Sequence, residues 1–299
     1  MLMNAKKSLT ERIKLEEFPQ PEMWSLKYPV LLCHGFGALA SVFSPSPLHD
    51  TAIILRQHGI KAFAPNIVPY ATIEVRAAAW GKIIARILKD LPEQKIHIVA
   101  HSMSGLDIRY ALQRLNLEPH VASLITLCSP HHGSPLANLA LETPDVLRET
   151  MIKMTNYFGS KTYPEIDSNA LGALHQLSPE YVTEDFNQRC PWNHNIPLYC
   201  ITASCGLGTG IPIGASLNVF NRYIFDREGE NDGFVSRKSA EFGEVLYHTD
   251  LSHYEQIRLF LRQRDEERWK NLWTIIYNKQ KDIETEKATV KPKGEAHVT

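Results

Sequence analysis

The sequence predicts an α/β protein built on a mostly parallel sheet with helices on both faces, and three observations carry that expectation. Short apolar runs alternate with segments of helical period, the runs end at glycine, proline or serine, and 299 residues at 43% hydrophobic composition suffice for one large core. YPVLLCHG (28–35) is the first run, a buried strand feeding a tight turn. Residues 46–58 read as a helix with Pro47 near its start and Gly59 at its stop, and IKAFAPNI (60–67) returns to strand. Ile73, Ala77, Trp80, Ile84, Ile87 and Leu91 recur every three or four residues before Pro92, which gives a helix with one apolar stripe. KIHIVAHS (95–102) is a strand, 104–115 a helix and HVASLITLCSP (120–130) a strand. Such connections are long enough to return the chain to the same end of the sheet, so neighbouring strands run parallel.

The alternation breaks between about 131 and 195, a stretch too long for a plain loop, where Leu147, Met151, Met154 and Phe158 share one helical face. This reads as a helical cap insertion. PLYCITAS (197–204) resumes the sheet, GLGTGIPIGASLNVF (206–220) is apolar without clear period, and GEVLYHTDL (243–251) is the last strand. A helix is expected from about 254, and the charged residues 279–299 read as a flexible tail, having little apolar surface to offset ordering entropy. The expected organisation is a polar arm (1–27), a single catalytic-sized domain (28–278) carrying the cap, and the tail.

With 32 basic and 33 acidic residues and no block of like charge, the chain lacks the electrostatic footprint of a nucleic-acid binder. Its start has no apolar run followed by a small-residue cleavage site, and no stretch reaches the length of a membrane span, so a cytoplasmic location is expected. Five cysteines (Cys33, Cys128, Cys190, Cys200 and Cys205) show no metal-like pairing, and Cys33 and Cys128 fall in strand runs where a buried thiol is the expectation.

AHSMSG (100–105) joins a strand to a helix, and a serine on such a sharp turn is held clear of the sheet with helix-start amides beside it. Ser102, at the strand end, is the candidate nucleophile; Ser104, at the helix start, reads as a capping hydroxyl. A serine nucleophile needs a base, and the base an orienting carboxylate. Asp232, in the turn NDGFVS, is the candidate acid, with Asp226 and Asp250 as rivals. His253, just after the last strand, is the candidate base over His248, which lies inside the strand pattern. The amides of Met103 and of Phe36, in the turn HGFG after the first strand, are the candidate oxyanion donors, and His34 is expected to hold that turn.

Taken together, PVLLCHGFG, AHSMSGLDIRY, TLCSPHHGSPLA, NDGFVSRKSAEFGEVL and SHYEQI resemble, in order, segments of the bacterial triacylglycerol lipases, over roughly residues 28–260. The resemblance implies the α/β-hydrolase fold, a Ser102, Asp232 and His253 triad, Phe36 and Met103 as oxyanion donors, and hydrolysis of lipid or acylglycerol esters through an acyl-enzyme. It also implies transient contact with a lipid surface. Passing the acyl group to an alcohol or lipid, a phospholipase activity, and an inactive acyl-binding relative are the alternatives. Two departures stand out: the family's glycine two after the nucleophile is Ser104, and Glu255 stands where some members carry a calcium-binding aspartate. One glutamate does not make a calcium site, and a solvated glutamate at a helix start is expected there. Adjacent His131 and His132 would not readily share a zinc ion, so neither a metal nor a cofactor is expected.

Overall fold

The computed structural model describes residues 22–36, 46–91, 95–142 and 168–289. Six parallel strands form one sheet in the order β2-β1-β3-β4-β5-β6. These are β1 (Val30–Cys33), β2 (Ala62–Phe63), β3 (Ile96–His101), β4 (Val121–Leu127), β5 (Leu198–Ala203) and β6 (Glu244–Thr249). Helices α1 (His49–Gln57), α2 (Ile73–Lys89) and α3 (Ser104–Arg114) make the first three crossovers. Because side chains alternate along a strand, Val30, Leu32 and Val99 meet Trp269, Leu272 and Trp273 on one face, while Leu31, Ile98 and Leu124 meet Trp80, Ile84 and Ile108 on the other. Every residue of β3 and β4 is buried, which explains why both read as unbroken apolar runs.

The chain leaves β1 toward β2 on one side and returns to β3 on the other. The carboxyl ends of β1 and β3 therefore flank a topological switch point, where loops diverge and a crevice opens.

Four expectations are corrected. β2 spans two residues rather than 60–67, because Pro65 has no N–H to donate and the Ile67 amide is spent on the His34 ring, 3.1 Å away. The final helix begins at Glu266, not near 254: single turns at Glu255–Ile257 and Gln263–Asp265 precede it, and Arg258 and Phe260 take left-handed φ values of 64° and 57°. The segment 206–220 contains the start of a helix, Ala215–Glu228. The first part of the expected tail is helical, since the last helix continues to Thr289; residues 290–299 of that tail lie outside the described residues. Its apolar residues are few but correctly spaced: Trp269, Trp273, Ile276 and Ile283 are buried along one side.

Of the cap region, α4 (Pro135–Glu142), α5 (Ala170–His175) and α6 (179–189, with a π-turn over Val182–Phe186) are described. The stripe of Leu147, Met151, Met154 and Phe158 lies outside the described residues. After β5 come α7 (Ala215–Glu228) and the short α8 (Arg237–Ala240); α9 (Glu266–Thr289) closes the fold. Among the described residues no helix is long and apolar enough to cross a membrane.

The last helix is pinned to the beginning of the domain. Trp24 stacks at 4.5 Å on Tyr277, and Glu284 accepts the Lys27 and Tyr28 amides at 2.8 Å while pairing with the buried His97. Burial alone would raise the Glu284 carboxyl, but His97 and the two amides outweigh it and hold the group below its ordinary value. Glu284→Ala should cost about 1–3 kcal/mol at neutral pH, read by urea unfolding. A lowered folded-state pKa stabilises above the unfolded value of 4.5, so the gap between variant and wild type should close as pH falls below it.

Candidate active site

Ser102 directly follows β3 with φ at 60°, in the left-handed region that a side-chain-bearing residue seldom occupies. Its amide donates to Leu127 O on β4 at 2.9 Å, and its carbonyl receives the Gly105 amide at 3.0 Å, so neighbouring strand and following helix both hold the turn. The loop after β1 presses against it. A Cβ placed on Gly35 would fall 2.5 Å from Ser102 Cβ and 3.0 Å from Met103 N, contacts that only glycine escapes. His34 secures this loop as the sequence suggests: its Nδ1 donates to Gly35 O at 3.0 Å and its Nε2 accepts from Ile67. Burial, with Arg76 adding, pushes the ring down to about 3, so it stays neutral.

Asp232 and His253 come together. The His253 Nδ1–H donates to Asp232 Oδ2 at 2.6 Å, and the His253 amide donates to Asp232 O at 3.0 Å. Asp232 is fully buried, yet its Oδ1 accepts the Phe234 and Val235 amides at 3.0 and 2.9 Å and its Oδ2 also accepts Gln256 Nε2 at 3.0 Å. Burial would raise this carboxyl; His253 and the turn amides outweigh it and hold it below the usual range. The NDG turn is thus not merely a turn, because its amides are aimed at its own carboxylate.

The rivals are engaged elsewhere. Asp226 pairs with Arg222 on α7, Asp250 pairs with Arg268, and His248 lies 2.8 Å from both Thr202 Oγ1 and Ser204 Oγ on β5. Ser102 and His253 line one cavity of about 360 Å³ with Phe36, and its walls are apolar: Leu136, Leu139, Leu174, Leu177, Phe220, Phe234 and Tyr254, from α4, α5, α7 and the turns after them. Met103 is buried at the start of α3, beside Gly35.

Two readings of single residues change. Ser104 does not cap the helix; its hydroxyl is buried and lies 2.8 Å from Cys33 O and 2.7 Å from His101 O. Glu255 is not solvated: it is 9% exposed, accepts the Ser252 amide and hydroxyl at 2.9 and 2.7 Å, and pairs with Arg262. His131 is wedged between Arg109 and Thr126 Oγ1, and His132 faces Ser239, so a cation at His131 would meet the Arg109 guanidinium. All five cysteines are buried and free.

Sequence reasoning missed three supports. His101 packs at a tilt of 43° against His253 with ring centroids 4.4 Å apart and donates Nε2–H to its carbonyl at 3.1 Å. Gln256, three residues after His253, holds Asp232. Arg76, buried on α2, donates to Asp107 on α3 at 2.9 Å, to His34 O at 2.6 Å and to Val68 O at 2.9 Å. Only Gln256 had a readable signal, its spacing from His253; an arginine beside an apolar stripe reads as solvated until the sheet is assembled.

Gly35→Ala should displace the turn around Ser102. The expected result is a protein that unfolds at lower temperature and reacts at least tenfold more slowly with a fluorophosphonate; an unperturbed variant would mean the loop stands off from the turn.

The model of the family described as alpha/beta hydrolase fold matches residues 28–158. The chain is 27% identical over 250 residues to a triacylglycerol lipase of Pseudomonas fragi, covering 74% of this chain and 84% of that one. It is 24% identical over 301 residues to a triacylglycerol lipase of Burkholderia plantarii, covering 80% and 81%. Among solved structures it is similar to Staphylococcus hyicus lipase (TM-score 0.65, 17% identity, covering 91% of this chain and all of that one). A metagenomic carboxyl esterase also matches, with TM-score 0.65 and 18% identity, covering 87% and 77%. The six-stranded parallel sheet, the strained serine at its switch point and these similarities together give the chain the α/β-hydrolase fold.

Proposed function

We propose that the chain hydrolyses carboxylic esters of lipids or acylglycerols with Ser102 as nucleophile, His253 as base and Asp232 as acid. The observation that carries this reading is the 2.6 Å bond from His253 Nδ1 to a buried, ionised carboxylate, at the wall of the same apolar cavity that Ser102 lines. With its proton on Nδ1, His253 offers Nε2 as the base. Ser102 Oγ attacks the ester carbonyl carbon and its proton passes to Nε2. The carbonyl oxygen becomes an oxyanion stabilised by the Met103 and Phe36 amides, each donor worth about 2.7–4 kcal/mol. Collapse breaks the C–O bond, the alcohol leaves with the proton from Nε2, and Ser102 carries the acyl group. Water, deprotonated by His253, then repeats the sequence and releases the acid.

The apolar walls favour an acyl chain over a polar acyl group. Around them lie exposed apolar residues: Phe260, 75% exposed, stacks edge-on against the wall residue Tyr254, and Val219, 73% exposed, adjoins Phe220 on α7. Such a rim suits transient contact with a lipid surface. We infer no metal or cofactor in this chemistry, and assign the cap helices α4 and α5 to enclosing the chain.

A fluorophosphonate probe tests the reading. Labelling should be lost in Ser102→Ala, with ester turnover falling on the order of 10⁶-fold, and Asp232→Asn should cost about 10⁴-fold. Folded wild-type protein that takes no label would instead support an inactive acyl-binding relative, and acyl transfer to added alcohol in preference to water would support an acyltransferase. Phe260→Ser should leave turnover of a dissolved p-nitrophenyl ester unchanged and lower turnover of an emulsified triacylglycerol several-fold; equal effects on both would remove the lipid-surface role.

A further inference from the structure

We propose that Ser104 is a positioning residue of the oxyanion hole: its hydroxyl clamps the end of β1 to the nucleophile turn and so fixes the spacing between the two amide donors. This rests on the triad reading above, but on a different contact. The two donors come from separate pieces of chain. Met103 belongs to the turn after β3, and Phe36 lies three residues beyond the end of β1. Ser104 Oγ sits between these pieces, 2.7 Å from His101 O on its own turn and 2.8 Å from Cys33 O at the end of β1.

The hydroxyl has one proton for two acceptors, so it shares that proton between the carbonyls of Cys33 and His101 or exchanges it between them. The site is fully buried, where a hydrogen bond is little screened and a lost partner is not replaced by water. Arg76 holds the next carbonyl, His34 O, at 2.6 Å, and Gly35 then rests against Ser102 and Met103. Consecutive carbonyls of residues 33 and 34 are therefore held by Ser104 and Arg76, and the amide of Phe36 follows within two residues. A glycine at 104 would offer no hydroxyl for this bond.

An oxyanion exists only after attack, so misplacing its donors should affect the transition state and not substrate binding. Ser104→Ala and Ser104→Gly should lower kcat on a dissolved p-nitrophenyl ester on the order of tenfold, less than the 10²–10³ lost when a donor is removed outright. KM should stay within about twofold, and the affinity of a boronic acid that mimics the tetrahedral intermediate should fall in parallel with kcat. Ser104→Thr, which keeps the hydroxyl, should recover part of the loss. Amide hydrogen exchange across residues 33–36 should accelerate in the alanine and glycine variants whether or not the protein turns over. Unchanged kcat in both, a change confined to KM, or unchanged exchange at 33–36 would each overturn the clamp. If wild-type protein failed to take the fluorophosphonate, the triad reading would fall, and the exchange measurement would still decide the clamp.

Discussion

Everything near the cavity follows from holding one serine in a conformation it resists. At φ 60° the Ser102 backbone costs about 1–3 kcal/mol, which persists only where surroundings over-determine the turn. They do so from three sides. β4 takes the amide, α3 takes the carbonyl, and the loop after β1 closes over the Cβ at a distance that tolerates no side chain on Gly35. The left-handed turn lifts Oγ out of the sheet at the switch point, so the cost in stability and the exposure of the hydroxyl come from one geometric fact.

The second constraint is a buried charge. Asp232 has no solvent exposure, and an isolated carboxylate there would take up a proton instead of remaining ionised. Four donors prevent this: the Phe234 and Val235 amides, Gln256 Nε2 and His253 Nδ1. The same donors fix the direction of the carboxylate, and the carboxylate fixes the tautomer of His253. His101, neutral because burial and the adjacent His253 both lower its pKa, packs against that ring without adding a competing charge. A second buried pair, Arg76 with Asp107, ties α2 to α3; burial pushes Asp107 up to about 6 against the pull of Arg76, and the guanidinium spends its other nitrogens on the carbonyls of residues 34 and 68.

What the sequence made legible divides along physical lines. Strands buried on both faces announce themselves as apolar runs, so the sequence places β1, β3 and β5 within two residues and β4 within three, and the strand-to-helix change around Ser102 places that serine. β2 was overread because apolar composition cannot show that Pro65 lacks a donor and that the Ile67 amide bonds a side chain. The end of the chain was underread because charge content was weighed as an average. Seven residues of α9 at helical spacing bury enough surface, and Glu284 supplies a specific partner, so a polar majority on the outer face does not matter. Ser104 reads from the sequence as a helix cap and Glu255 as a solvated residue; both are buried, and their partners depend on packing that composition does not reveal.

The misread helix also has a bearing on the site. Its Trp269 and Trp273 both point Nε1–H at the carbonyl of Gln256, at 3.1 and 3.3 Å, and the side chain of that same residue donates to Asp232. Ring bulk sets the position of the backbone here, since two buried indoles pack against the sheet and neither can shift without opening the core. The single turn Glu255–Ile257 therefore cannot rotate freely, and the amide of Gln256 is delivered to the carboxylate from a fixed platform. The left-handed residues Arg258 and Phe260 that interrupt the expected helix are what allow this turn to face Asp232 while α9 lies along the sheet. A continuous helix from 254 would have to carry residue 256 along the axis of α9, so the break in the helix is the condition for the support of Asp232.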